Sequence, residues 1–171
     1  MTVLEKWRTN GLGLVRISFG FAWGIDAYFK WQPSFVSDFS SYLTGALSGQ
    51  PVLVREWIKF WIEVIQIDPV FFAYLVAASE TGLAIALVLG AFSNMAYLGG
   101  SLLALVIWST AEGFGGPYNA GSTDIGAAIV YVFVFALLFF SRAGLELGLD
   151  RLLALRLGCW AFLASGTPSP P

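Results

Sequence analysis

Four apolar stretches, at residues 11–29, 70–90, 95–112 and 123–140, constrain this 171-residue chain more than any other feature. Each approaches the roughly 20 residues that a helix needs to cross the hydrocarbon core of a bilayer. Spanning segments in lipid are helices or strands of a closed barrel, because no water is there to satisfy an open sheet edge. Continuous apolar runs such as 82–90 lack the alternation of a barrel strand. The pattern therefore predicts an all-α membrane protein, a four-transmembrane-helix bundle. Only 12% of residues are charged and mean hydropathy is +0.75, about half the charge share of a soluble domain. A cleaved signal peptide is a poor reading of the first stretch, which holds Arg16 and Asp26 and is followed by no small-residue cleavage site.

Cations orient the predicted spans. Lys6 and Arg8 precede the first, and Arg142, Arg151 and Arg156 follow the last, against Lys30, Arg55 and Lys59 in the long first loop. With an even number of spans this places both termini in the cytoplasm of a multi-pass plasma-membrane protein. The 31–69 and 113–122 loops then share the outer face, and 91–94 is a tight cytoplasmic turn. Within the long loop Phe35, Phe39 and Tyr42 recur at helical spacing, as do Val54, Trp57, Ile58, Trp61, Ile62 and Ile65, with Arg55, Glu56, Lys59, Glu63 and Gln66 largely opposite. Two amphipathic interfacial helices are expected, the second ending before Asp68–Pro69. They read as a lid anchored by tryptophans or as a docking surface in which Trp57 and Trp61 meet an extracytoplasmic partner. Residues 1–144 thus form the membrane domain. Residues 145–171 form a C-terminal amphipathic segment, an interfacial helix over 145–162, and a loose tail from Ser165.

The rest of the composition narrows function. A net charge of −2 without a basic patch excludes nucleic acid as a partner. There is no histidine, one cysteine (Cys159), and no methionine beyond Met1 and Met95, so the chain lacks the ligand set for haem, and no metal site is expected. A redox centre must be organic or must sit on a partner protein.

A charged side chain at a helix centre costs about 2.5–3.5 kcal/mol on the lenient insertion scale, so each needs a partner or a purpose. Arg16 shares a stripe with Gly20, Trp23 and Ala27, and Gly20 with Gly24 makes a small-residue step suited to close packing. Glu80 lies on the second span beside a small-residue ridge, and a buried Arg16–Glu80 pair is the economical structural expectation. Asp26 and Lys30 are i,i+4 neighbours, readable as an interfacial ion pair. Two ridges, Gly100-Ala104-Trp108-Glu112 and Asp124-Ala128-Tyr131-Phe135, are placed to line one outward cavity, with Asp124 also a natural N-cap for the fourth span. The 113–122 loop holds four glycines and a proline and can bring backbone N–H groups near an anion. Carboxylate, indole and phenol around an apolar slot suit a quinone: stacking surfaces, hydrogen-bond donors for its carbonyls and a carboxylate to move its protons.

Over residues 11–142 the chain resembles the DoxD/DoxX family of small four-helix membrane proteins. The likeness rests on Arg16 with Gly20, Gly24-x5-Lys30, Glu80-x-Gly-Leu-x5-Leu-Gly90, Trp108, and Gly-Pro-Tyr118-x2-Gly-Ser-Thr-Asp124-x-Gly126-x4-Tyr131. The last run points to the DoxD branch, the membrane subunit of thiosulfate:quinone oxidoreductase, which works with a DoxA subunit in oxidising thiosulfate to tetrathionate. The resemblance implies a quinone-reactive oxidoreductase subunit with a DoxA-like or other redox partner. In that reading Glu112, Asp124 and Tyr131 are catalytic, and Arg16, Trp23, Lys30, Glu80, Trp108 and Tyr118 bind substrate or quinone. The carboxylates near the outer end oppose a dianion such as thiosulfate. Two other readings stand beside it: an anchoring subunit of a larger respiratory complex, and a small transporter or proton conductor using Arg16, Glu80, Glu112 and Asp124 as a broken chain of ionisable groups.

Overall fold

A computed structural model describes the backbone of residues 3–166 and the side chains of residues 10–166. The side chains of Lys6 and Arg8, and the 167–171 end of the tail, lie outside the described residues. Those residues form an all-helical fold: α1 (Val3–Lys30), α2 (Pro33–Gly45), α3 (Val52–Ile65), α4 (Pro69–Leu89), α5 (Ser93–Ser109), α6 (Ala128–Phe140) and α7 (Asp150–Leu157). Short 3-10 turns occur at Gly113–Gly115, Ala143–Leu145 and Gly158–Leu163.

Helices α1, α4, α5 and α6 make the bundle. α1 packs along α4, α5 along α6, and a tight turn after Gly90 joins α4 to α5. A Cβ on Gly20 would meet the Val88 nitrogen at 2.8 Å and the Leu87 Cβ at 2.9 Å, so the α1–α4 approach depends on that glycine. α1 meets α6 through rings, with Phe19 and Phe135 centroids 5.0 Å apart and Trp23 and Tyr131 5.7 Å apart. Trp23, Leu83, Leu87, Tyr97, Phe135 and Leu138 form the central core. A second core joins Phe35, Phe39 and Leu43 of α2 to Ile58 and Ile65 of α3 and Ala73 of α4. The two helices expected in the long loop are therefore present, α2 packed on α4 and α3 on α2.

Among the described residues α4 is the one helix long and apolar enough to cross a membrane by length and composition, and α5 and α6 are shorter apolar helices. Large apolar side chains lie exposed along all four: Phe21 and Ile25 on α1, Phe71 and Ile85 on α4, Leu98 and Leu102 on α5, Phe133 and Phe140 on α6.

Arg16 does not pair with Glu80. Its guanidinium is buried and spends all five N–H donors on backbone carbonyls. Nε donates to the Ala143 carbonyl at 3.2 Å, and Nη1 donates to those of Leu87 and of Val88, the latter at 3.2 Å. Nη2 donates to Glu146 at 3.1 Å and to Leu147 at 3.0 Å. The last turn of α4 leaves orphan carbonyls and a negative dipole end, which a buried cation satisfies. Leu149 and Asp150 N–H groups take the remaining carbonyls of Leu89 and Gly90, at 3.0 and 2.8 Å.

That closure also corrects the expectation for the C-terminal segment. Residues 145–162 are not one interfacial helix: Leu147 and Gly158 have positive φ and break it, leaving α7 between two turns. Asp150 is buried rather than on a polar face, and its Oδ2 accepts from the N–H of Ser93 at 3.1 Å and from the N–H and Oγ of Ser165 at 3.0 Å each. Ser165 is accordingly fixed rather than loose. Hydrogen bonds to an ionised carboxylate are roughly twice as strong as neutral ones, and these three offset part of the cost of burying it.

Candidate functional site

The end of the bundle away from Arg16 holds a cavity of about 940 Å³, walled by α1, α4, α5 and α6 and closed on one side by α2 and α3. α1 delivers Trp23, Asp26 and Lys30 to it, because residues three and four apart share a helix face. α4 delivers Glu80, α3 Trp61, α6 Tyr131, and the turn after α5 Glu112. Phe35, Phe39 and Tyr42, read from the sequence only as the apolar face of a lid, turn out to wall the cavity as well.

Its charges are few and close. Lys30 Nζ is 3.0 Å from Asp26 Oδ1 and 3.7 Å from Glu80 Oε2, and it sits 5.4 Å from the Phe35 ring centroid. The Asp26 side chain is 51% exposed, Lys30 20% and Glu80 0%, so the three descend from solvent into the interior. Neither Glu80 oxygen has a hydrogen bond, and the buried indole N–H groups of Trp23 and Trp61 also have none. Such groups are normally paired, since a buried donor or acceptor left alone costs about 1–3 kcal/mol. Two indole donors and a carboxylate without hydrogen-bond partners thus belong to residues that line one aromatic cavity.

Several residues singled out in the sequence are not in this cavity. Arg16 lies some 14 residues down α1 from Lys30, about 21 Å along the axis, and its donors are spent on carbonyls. Trp108 turns toward the following loop, donating Nε1–H to the Ile125 carbonyl at 2.7 Å and packing on Phe114. Tyr118 is exposed and donates to the Phe114 carbonyl at 2.6 Å. Trp57 packs on Phe60 and Trp61 on the outer side of α3, so Trp57 and Trp61 diverge: one outward, one walling the cavity.

Asp124 does not cap the fourth apolar helix, which begins at Ala128 rather than at 123. Asp124 Oδ1 instead accepts from Gly126 N–H at 2.8 Å, and Gly126 has φ 88°, outside the helical region. The cap comes from across the bundle: both oxygens of Glu112 accept from Ala128 N–H, at 3.3 and 3.1 Å. The glycine-rich loop forms no open anion cradle either. The N–H groups of Gly115, Gly116, Asn119 and Ser122 are taken by the carbonyls of Glu112, Gly113, Pro117 and Asn119. A Cβ on Gly126 would strike the Glu112 carboxylate and approach Trp108 Cδ1 to 3.2 Å. Gly126→Ala is therefore expected to lose about 1–3 kcal/mol through strain at a positive φ and loss of the cap. A lowered Tm in detergent is the readout, and an unchanged one would show that the turn repacks freely.

No family model matches the chain, and no curated protein and no solved structure matches it. The site's meaning rests on its own chemistry.

Proposed function

We propose that the chain is a four-span membrane subunit of an oxidoreductase and that its cavity binds a quinone, which leaves as quinol after taking two electrons and two protons. The carrying observation is the cavity of about 940 Å³ in which the Trp23 and Trp61 indoles and the Glu80 carboxylate lack hydrogen-bond partners. Quinone carbonyls would accept from the indoles, the aromatic walls would stack on the ring, and Glu80 would pass protons that reach it along Asp26 and Lys30. The exposed apolar side chains of α1, α4, α5 and α6 support the bilayer placement, since soluble proteins rarely leave such belts uncovered. Both termini are then cytoplasmic and the cavity opens at the outer face, in the plasma membrane.

The resemblance to DoxD-type subunits supports the same reading and suggests a sulfur donor. Asp26, Glu80 and Glu112 face this cavity against Lys30, a balance that repels a dianion and admits a neutral ring. Thiosulfate, if it is the donor, would be oxidised on a DoxA-like or other redox partner, which would supply the electrons. The outward face of α3, with Leu53, Trp57 and Phe60 exposed, is where such a partner, or the larger complex of the anchoring reading, would dock.

Extraction in mild detergent, with mass spectrometry of the organic extract and of co-purifying proteins, tests the proposal. A bound quinone with a redox partner is expected, and added quinone should bind the purified chain. Trp23→Phe keeps the packing and removes one donor, so quinone affinity should fall about tenfold, the worth of a single buried hydrogen bond. Absence of quinone together with no binding of added quinone would overturn the reading.

A further inference from the structure

We propose that the ligand of this cavity is a membrane-dissolved molecule with a long apolar tail, and that the tail lies in a groove between α4 and α5. The groove has a volume of about 460 Å³ and is lined by Gly82, Ala86, Ala96, Gly99 and Gly100 together with larger apolar side chains. It adjoins the cavity, since Ser79, Leu103 and Val106 line both. Its other end reaches the exposed apolar surface formed by Met95 and Leu102. The two helices part here although one tight turn joins them, since small side chains on both leave the space between them unfilled. Built Cβ atoms on Gly82 and Gly99 meet nothing within 4 Å. In the adjoining cavity, next in sequence to the shared Ser79, stands the fully buried Glu80, and the nearly buried Trp23 lines the same cavity; neither has a hydrogen-bond partner. Polar groups in the cavity and an apolar trough beside it running out to the exposed apolar surface match a ligand with a polar head and a hydrocarbon tail. A water-borne ligand would have no use for the trough.

The inference rests on the quinone reading of the cavity, and its test separates the two. Two probes are titrated into the purified chain: 2,3-dimethoxy-5-methyl-1,4-benzoquinone, which has no tail, and its decyl-tailed analogue. The tailed probe should bind at least about tenfold more tightly, given what filling an apolar pocket contributes. In the Gly82→Leu, Gly99→Leu double variant that advantage should vanish while the tailless probe binds as before. A decyl analogue with a terminal diazirine should crosslink to residues 79–106 of the unaltered chain, a readout that needs no variant to fold. Tailless binding with no gain from the tail, no effect of the leucines, or crosslinks confined elsewhere would overturn the groove and leave the head site standing. Binding of neither probe would overturn the head site, and the groove with it.

Discussion

Arg16→Leu is expected to give a chain that no longer holds its bundle. The guanidinium satisfies five carbonyl oxygens in a buried setting, from α4 and from the turn between α6 and α7. Leucine fills part of the volume but supplies no donor, so each acceptor loses its partner at about 1–3 kcal/mol apiece. Even with partial relaxation and water entry, a loss of at least about 3–5 kcal/mol follows, the range seen when one member of a buried charged network is removed. That is a large fraction of the stability of a typical domain. Asp150, an electrostatic partner of Arg16, would remain buried without its cation. Arg16→Lys keeps the charge but not the planar fork, and three donors cannot reach five carbonyls, so it should fall between the two. Thermal unfolding in detergent decides: a Tm for Arg16→Leu within a degree or two of the unaltered chain would show that the carbonyls find other partners.

Arg16 also marks the boundary of what the sequence reveals. That it faces the bundle was legible from the Gly20, Trp23 and Ala27 stripe, and the Gly20–Gly24 step announced a close helix contact, though not that α4 makes it. The lid helices were legible because their apolar residues recur with helical spacing and their polar ones fall opposite. The partners of Arg16 were not, because the acceptors are backbone atoms 71 to 131 residues away, and every residue type has a carbonyl. The sequence suggested Glu80 as the partner because opposite charges are visible in a string of letters and helix ends in space are not. Asp124 likewise carried the local mark of an N-cap, yet Glu112 from the turn after α5 takes the Ala128 N–H, and the helix begins four residues later, after the positive φ of Gly126. Asp150 gave no signal, since a lone carboxylate among leucines and arginines reads as one side of a surface helix. The cavity was half legible: Trp23, Lys30, Glu80, Glu112 and Tyr131 line it, whereas Trp108 and Tyr118 are spent on local loop carbonyls.

If the cavity takes a quinone as proposed, Glu80→Gln is expected to leave it bound and to slow its reduction by about 10²–10⁴-fold, the contribution of a positioned acid or base to a proton transfer. The amide has nearly the shape of the carboxyl and cannot relay a proton. The carboxylate is buried with neither oxygen hydrogen-bonded, and its ionic neighbour Lys30 is itself held by the half-exposed Asp26. A route from solvent therefore reaches Glu80 through two titratable groups and ends there, at the wall of the cavity. Glu112 is less suited to the task, because both its oxygens are engaged by Ala128 N–H. Its replacement by glutamine should act mainly through the start of α6 and the shape of the cavity. In membranes containing the chain and the redox partner proposed for it, the test measures quinone affinity and quinol formation separately. A Glu80→Gln variant that binds normally and turns over slowly assigns the proton step to this side chain. One that binds and turns over normally removes Glu80 from the mechanism, and one that fails to bind makes it a determinant of the ligand's seat instead.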